Sequence, residues 1–497
     1  MSEHFDVCVF GGQPAGYLTA ALCAKRGLRT AVIDNGEGYD QYRQKNNAFP
    51  FVPQPQIGLR SSKAVEAVLT ELGAQVDFPR RYTESNVSFQ AIFPDQRITF
   101  ATHEATRRKE LERVFGPGAE SFANATQSFA DTAERLAQTL AGEEEVPAVG
   151  WWNRFTQRRR LSGAAELATP LSQSAAFAQV PEALRQITLD AARFFCQLDE
   201  KDPPIGYLSY LISHLLAGTV RVDGSRGSYL EALVGLASQA GAVVKQGALV
   251  KEIVTDGKRF KSVETTGNRI SLTADFFVSA SYSNELWQDL PRSRAQAKLV
   301  AEDGQMRSRA KIFVQHYLVE ERGLPVGLAD NVLLLNGRKR SRDEENADSP
   351  VWVTVRRDHT PRGDRTLALV SAAIPVSEQE ANFLPEHLEA QKRRVRAQLE
   401  RLLPFLSPYV ANESSPMAPG EWDKLEGGQR KIDSWLLSPS FEPLPDRQLG
   451  ITGLGFATPY TNLFRVGRRV LPGLGSLGDF VSARMAANLL QRAAKKK

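Results

Sequence analysis

Residues 5–16, Phe5-Asp6-Val7-Cys8-Val9-Phe10-Gly11-Gly12-Gln13-Pro14-Ala15-Gly16, constrain this chain more than any other stretch. An apolar strand-like run stops at two glycines, and helix-forming residues follow through Arg26. A second apolar strand, Thr30-Ala31-Val32-Ile33, ends on Asp34. Strand, glycine turn, helix and second strand with an acid at its tip, within about thirty residues, form the layout of a dinucleotide-binding unit. Gly11 allows the sharp exit from the strand, and the open helix N-terminus offers N–H groups and a positive dipole end to a pyrophosphate. Gly16 lets helix and strand pack closely, and Asp34 is placed to accept hydrogen bonds from a ribose diol. The middle glycine of G-x-G-x-x-G is replaced by Gln13, whose side chain either crowds the phosphates or donates its amide to them. With the rest of the unit intact, binding is expected to survive that change.

At 497 residues the chain can bury a large core and should hold two or more domains. A formal charge of +5 is small for this length and implies no nucleic-acid partner. The three cysteines, Cys8, Cys23 and Cys196, form no C-x-x-C pair and read as small buried hydrophobes in a reducing compartment. Six scattered histidines offer no metal-ligand spacing. Glu3 and Asp6 ahead of a short strand do not read as a secretory leader, and no apolar run reaches membrane-spanning length. A cytoplasmic protein is expected.

Beyond Asp34 the chain reads as loop through residues 36–55. Helical spacing appears over residues 104–115, 128–140 and 181–196. The turn Asp223-Gly224-Ser225-Arg226-Gly227 leads to a helix over residues 229–239, and strands are expected at 242–244, 248–254, 260–264, 269–272 and 274–280. A second mixed region follows, with strands at 310–318, 331–335 and 351–356 and a charged helix at 386–403. The insertion at 337–345 carries both signs of charge and reads as a solvated hairpin tip. Near the end a strand over residues 462–467 passes through the glycines at 473, 475 and 478 to a helix over residues 479–492. The N–H groups of Asp479 and Phe480 are expected to face a ring edge or an oxyanion. Two ends of the chain would then converge on one ligand.

In this order of parts the sequence resembles the FAD-dependent phytoene desaturase and amine oxidase superfamily over nearly its whole length, especially the bacterial carotenoid-desaturase and retinol-saturase-like branch. Residues 9–16 look like its N-terminal FAD motif, Asp275-Phe276-Phe277-Val278-Ser279-Ala280 like its A-D-x-V-x-x-A strand, and residues 463–480 like the closing motif that reaches the ribityl chain and flavin. The resemblance implies a mixed α/β and α+β architecture: a Rossmann-like, glutathione-reductase-like FAD-binding domain of amine-oxidase type with an inserted substrate domain. Residues 1–79, 216–290 and 441–497 would form the first, and residues 80–215 and 291–440 the second. It implies non-covalent FAD held by Gly11, Gly12, Gln13, Pro14, Ala15, Gly16, Asp34, Asn35, Arg43, Val250, Gly467, Arg468, Gly478, Asp479 and Phe480, with Val250 meeting adenine through its backbone. The sequence departs from the family at Gln13, at Asp34 where glutamate is common, and at Arg468 where several relatives carry an acid or a small residue. The usual Gly-Gly-Arg after the second strand is also absent, and Arg43 is the available substitute.

The flavin itself would accept the hydride, which fits a chain with no nucleophilic triad and no paired-carboxylate pattern. The apolar run at residues 205–216 reads as plain core helix or as the wall of a tunnel for a lipophilic substrate. Trp151, Trp152, Phe155, Arg154, Arg158, Arg159 and Arg160 lie close together, as an interfacial anchor requires, although Glu143-Glu144-Glu145 just before them opposes an anionic surface. A partner-protein site and aromatic residues buried in the substrate domain are the other readings. Two function classes follow. One is an FAD-dependent desaturase-, saturase- or oxidase-like enzyme; the other is a redox-inactive scaffold that keeps the fold, as the related GDP-dissociation inhibitors do.

Overall fold

Val7, Val9 and Val32 alternate along their strands with Cys8, Phe10, Ala31 and Ile33, and all are buried, so both faces of the sheet they form are covered. The computed structural model describes residues 2–34, 41–44, 47–51, 55–142, 144–161, 166–195, 198, 202–222, 228–248, 250–265, 271–281, 285–335, 350–362, 365–377, 385–415, 439–444 and 447–496. The strand Ser2–Phe10 lies between Thr30–Ile33 and Ser271–Ser279, parallel to both. Val243–Lys245 extends the parallel layer beyond Thr30–Ile33, and Leu463–Arg465 adds a short parallel strand beside Phe277, Val278 and Ser279. The antiparallel pair Val250–Asp256 and Arg259–Thr265 completes this sheet.

Three helices cover one face: the motif helix Pro14–Lys25, the helix Tyr229–Gln239 and the closing helix Ser476–Ala494. The start of Tyr229–Gln239 is fixed by a reciprocal cap, in which Glu231 N–H donates to Ser228 Oγ at 3.2 Å and Ser228 N–H donates to Glu231 Oε2 at 2.8 Å. On the other face Cys8 and Phe10 meet Phe260, Trp287 and Leu299. Burial pushes the thiols of Cys8 and Cys23 up to about 12, which keeps them protonated and inert.

A second sheet of eight strands runs in the order Val410–Ser414, Ser308–Glu320, Arg365–Ser377, Val351–Arg362, Asn331–Leu334, Val87–Ile92, Arg97–Ala101, with Pro439–Phe441 also on Ser308–Glu320. Its parallel pairing of Asn331–Leu334 with Val87–Ile92 joins segments far apart in sequence. One face carries the helix Pro385–Leu402 through Phe313, Tyr317, Val319, Val395 and Leu399. The other turns Ile312, Val314, Trp352 and Ala373 into the main core.

Several expected boundaries change. The sequence suggests two strands at residues 269–272 and 274–280, but Ser271–Ser279 is one, because it pairs along its length with Ser2–Phe10. The helix expected at 128–140 is the second half of Gly118–Ala141. Arg365–Ser377 has no counterpart in the sequence reading, although its Leu367, Leu369 and Val370 are buried in a regular ladder. Ile205–Ala217 is a core helix, buried at Tyr207, Leu208, Tyr210, Leu211 and Leu215. The turn at 223–227, the insertion at 337–345 and Cys196 lie outside the described residues.

Candidate cofactor site

The strand Ser2–Phe10 ends in a turn that only glycine fits. Gly11 has φ +104°, and a Cβ there would lie 2.6 Å from the Ala280 carbonyl carbon and 2.8 Å from Ser281 N. The neighbouring backbone is fixed in that place, since Ala280 N–H donates to Phe10 O at 2.9 Å and Gly11 N–H donates to Ile33 O at 3.1 Å. Gly16 is held just as closely, with a Cβ position 2.7 Å from Ala280 Cβ. The motif helix then opens with Pro14 at its first position, where a missing N–H costs nothing. Gln13 caps it in extended conformation and its side chain makes no capping bond. Among the described residues, the N–H groups of Gly12, Gln13 and Ala15 have no acceptor in the chain. No acid stands in the first turn. Bare N–H groups and the positive end of a helix make a seat for an anion, and the pyrophosphate of a dinucleotide fits that donor set.

Asp34 follows the second strand and is 2% exposed, with its own N–H donating to Lys245 O at 3.1 Å. Its carboxylate thus stands on fixed backbone at the tip of the sheet, where the sequence placed it.

The far end of the chain arrives at the same spot. Val466 N–H donates to Ser279 O at 3.0 Å, continuing the line of Leu463–Arg465. Gly467 follows with φ +81°, and a Cβ there would lie 3.1 Å from Ala15 Cβ and 3.5 Å from Asp479 Oδ1. Gly467 N–H donates to Ser482 Oγ at 2.9 Å, which ties the turn to the closing helix. Gly11, Ala15, Gly16, Gly467 and Asp479 are therefore brought together. Gly478 packs beneath, its Cβ position 2.5 Å from Leu471 O.

The expected start of the closing helix is corrected. It begins at Ser476, so Phe480 N–H falls inside the hydrogen-bonded turns, and its buried ring is core. Asp479, 1% exposed, pairs with Arg468 at 3.3 Å. Burial pushes the Asp479 carboxyl up to about 6, against the pull of the Arg468 guanidinium.

Sequence reasoning missed a buried charge cluster behind this turn. Asp303 receives Arg469 Nη1 and Trp287 Nε1 on Oδ2, at 2.7 and 2.6 Å, and lies 2.9 Å from Arg465 Nε through Oδ1. Arg465 also reaches Glu302 at 3.0 Å. Arg465 and Arg469 look like surface cations in sequence, and the apolar neighbours Phe464, Val466 and Val470 are the one local signal of burial.

Other expected site residues lie on a sheet edge or outside the described residues. Val250 opens an edge strand paired with Thr265. Asn35 lies outside the described residues, as does the side chain of Arg43 in the strand Gln41–Gln44. Trp152 and Arg159 are exposed on the helix Trp151–Leu161, and the side chains of Trp151, Arg158 and Arg160 are outside the described set. No group of acidic, histidine or cysteine side chains among the described residues could hold a metal ion. No helix there is long and apolar enough to cross a membrane.

No family model matches the sequence, and no curated protein does. Solved structures do match across the whole chain. An oxidoreductase from Methanosarcina mazei superposes with a TM-score of 0.57 at 14% identity, covering 99% of this chain and 100% of its own. Putrescine oxidase bound to putrescine gives 0.56 at 16% identity, with the same coverage. Cyclohexylamine oxidase from Brevibacterium oxydans gives 0.56 at 13% identity, covering 99% of each chain. The chain has the mixed α/β fold of these oxidoreductases, from its first strand to its closing helix.

Proposed function

We propose that this chain is an FAD-dependent oxidoreductase, desaturase-, saturase- or oxidase-like, that moves hydride between a lipophilic substrate and flavin. One observation carries this reading: the two ends of the chain meet at Ala15 and Gly467 around bare N–H groups at a helix N-terminus. The fold shared with putrescine oxidase, whose cofactor binding was the subject of redesign, supports it. When bound, FAD would supply the hydride acceptor.

The chain's own residues do the rest. Gly12, Gln13 and Ala15 would donate backbone N–H groups to the pyrophosphate, and Asp34 would accept from the ribose diol. Half-buried Arg468 and buried Asp479 present a charge pair beside Gly467, at the end of the site that the closing segment frames. Residues 1–79, 216–290 and 441–497 would hold the cofactor, and residues 80–215 and 291–440 the substrate. A lipophilic substrate and the carotenoid-desaturase-like branch follow from the resemblance of the sequence.

Flavin content tests the reading. Purified protein should show the flavin band near ~450 nm and release FAD on acid or heat treatment. Protein with no releasable flavin, and no uptake from added FAD, would return the chain to the redox-inactive scaffold class.

A further inference from the structure

The helix Trp151–Leu161 takes no part in the cofactor site, yet it displays an unusual surface. Trp152 is 59% exposed and Phe155 50% exposed, one turn apart, with ring centroids 6.1 Å from each other. Arg159, the next turn along, places its guanidinium 5.8 Å from the centre of the Phe155 ring. Residues 152, 155 and 159 share one helix face by their spacing. The opposite side is pinned by buried Gln157, which accepts from Ala148 N–H at 2.8 Å and donates to Glu145 O at 2.7 Å. The rings therefore point outward because the helix is fastened from behind.

Charge agrees with that display. The helix contains Arg154, Arg158, Arg159 and Arg160 and no acidic residue. The acidic run that precedes it is partly neutralised from within, since Glu145 is buried and pairs with Arg492 of the closing helix. Lys495 and Lys496, both exposed, follow Arg492 within about one turn. Aromatic rings at headgroup depth with cations beside them match an anionic bilayer surface better than a nucleic acid, whose phosphates would leave Trp152 and Phe155 in water.

The geometry points to this helix as a reversible anchor on anionic lipid membrane, seated by Trp152 and Phe155 and held by its arginines. The inference stands apart from the flavin reading, because lipid binding is measured without turnover. Full-length protein is sedimented with vesicles of phosphatidylcholine alone, or with about 30% phosphatidylserine, at low salt where the Debye length is ~30 Å. Wild type should pellet with the anionic vesicles only and be released as salt rises. Trp152→Ala with Phe155→Ala should lower partitioning by about tenfold or more. Replacing Arg158, Arg159 and Arg160 by glutamine should cost about fivefold for each cation lost. Flavin uptake measured on the same samples should be unchanged, so that a failed anchor and a failed flavin site are told apart. Equal pelleting with neutral vesicles, no pelleting at all, or wild-type pelleting by the ring variant would each overturn the anchor, the last assigning these rings to a protein partner.

Discussion

The turn at Gly11 and the turn at Gly467 meet in space but rest on different physics. Around Gly11 the shape is made by backbone: a positive φ, carbonyl and amide atoms under 3 Å from a missing Cβ, and N–H groups left bare. No charged side chain is needed to hold it. Around Gly467 the shape is made by buried charge, with Arg468 on Asp479 and with Arg465 and Arg469 on Asp303. The first arrangement leaves donors open for an anion. The second uses its charges on itself, and a buried pair that loses one partner leaves an uncompensated ion. One side of the site is thus tuned by sterics and the other by electrostatics.

The largest effect is expected where sterics alone decide. Gly11→Val puts a branched side chain into the Ala280 backbone at a φ that β-branched residues avoid, so flavin uptake should be abolished and unfolding free energy should fall by about 3 kcal/mol or more. Normal FAD uptake by this variant would mean that the cofactor does not pass the turn.

Asp303→Ala probes the other side. It removes the carboxylate that Arg469 meets at 2.7 Å and one of the two carboxylates on Arg465, with both arginines buried at 6% and 3% exposure, and should cost about 3–5 kcal/mol in urea unfolding. A cost under 1 kcal/mol would show that the closing segment does not depend on its charges, and the contrast between the two turns would fail.

A pH experiment separates the Asp479 contribution. Its folded-state value of about 6 stands above the ordinary 3.8, so the native state holds the proton more tightly than the unfolded chain. The stabilisation is complete below about pH 4 and is lost as pH rises through about 6. Relative to wild type, Asp479→Asn should lack that loss, a difference of about 2–3 kcal/mol across the window in paired Tm profiles. Parallel profiles would place the carboxylate in a more solvated setting.

The smallest change is expected at Gln13, whose side chain caps nothing. In Gln13→Gly, FAD affinity should stay equal or rise by a few-fold, on the order of 1 kcal/mol at most. A marked fall, read by titration of the apoprotein, would show that the amide ligates phosphate and that a side chain has entered the backbone-built half.

Sequence by itself determined the elements whose residues act through local backbone chemistry. Gly11, Gly16 and the short spacing to Asp34 announced strand, turn, helix and acid, and the structure places them as read. Tyr229–Gln239 was equally plain, because Leu230, Leu233, Val234 and Ala237 recur at the spacing of one helix face. The tertiary structure alone decided three other things. It merged residues 271–279 into one strand, since the ladder to Ser2–Phe10 overrides the local propensity that divided them. It turned Arg465 and Arg469 inward, because Asp303, their partner, is more than 160 positions away and no local pattern records a pairing of that range. And it left Trp152 and Phe155 in solvent, where the same residues could have filled a core, because Gln157 fastens the opposite side of their helix to the loop before it. Short-range sterics are written in neighbouring residues, whereas the burial of a charge or a ring depends on what the rest of the chain brings to it.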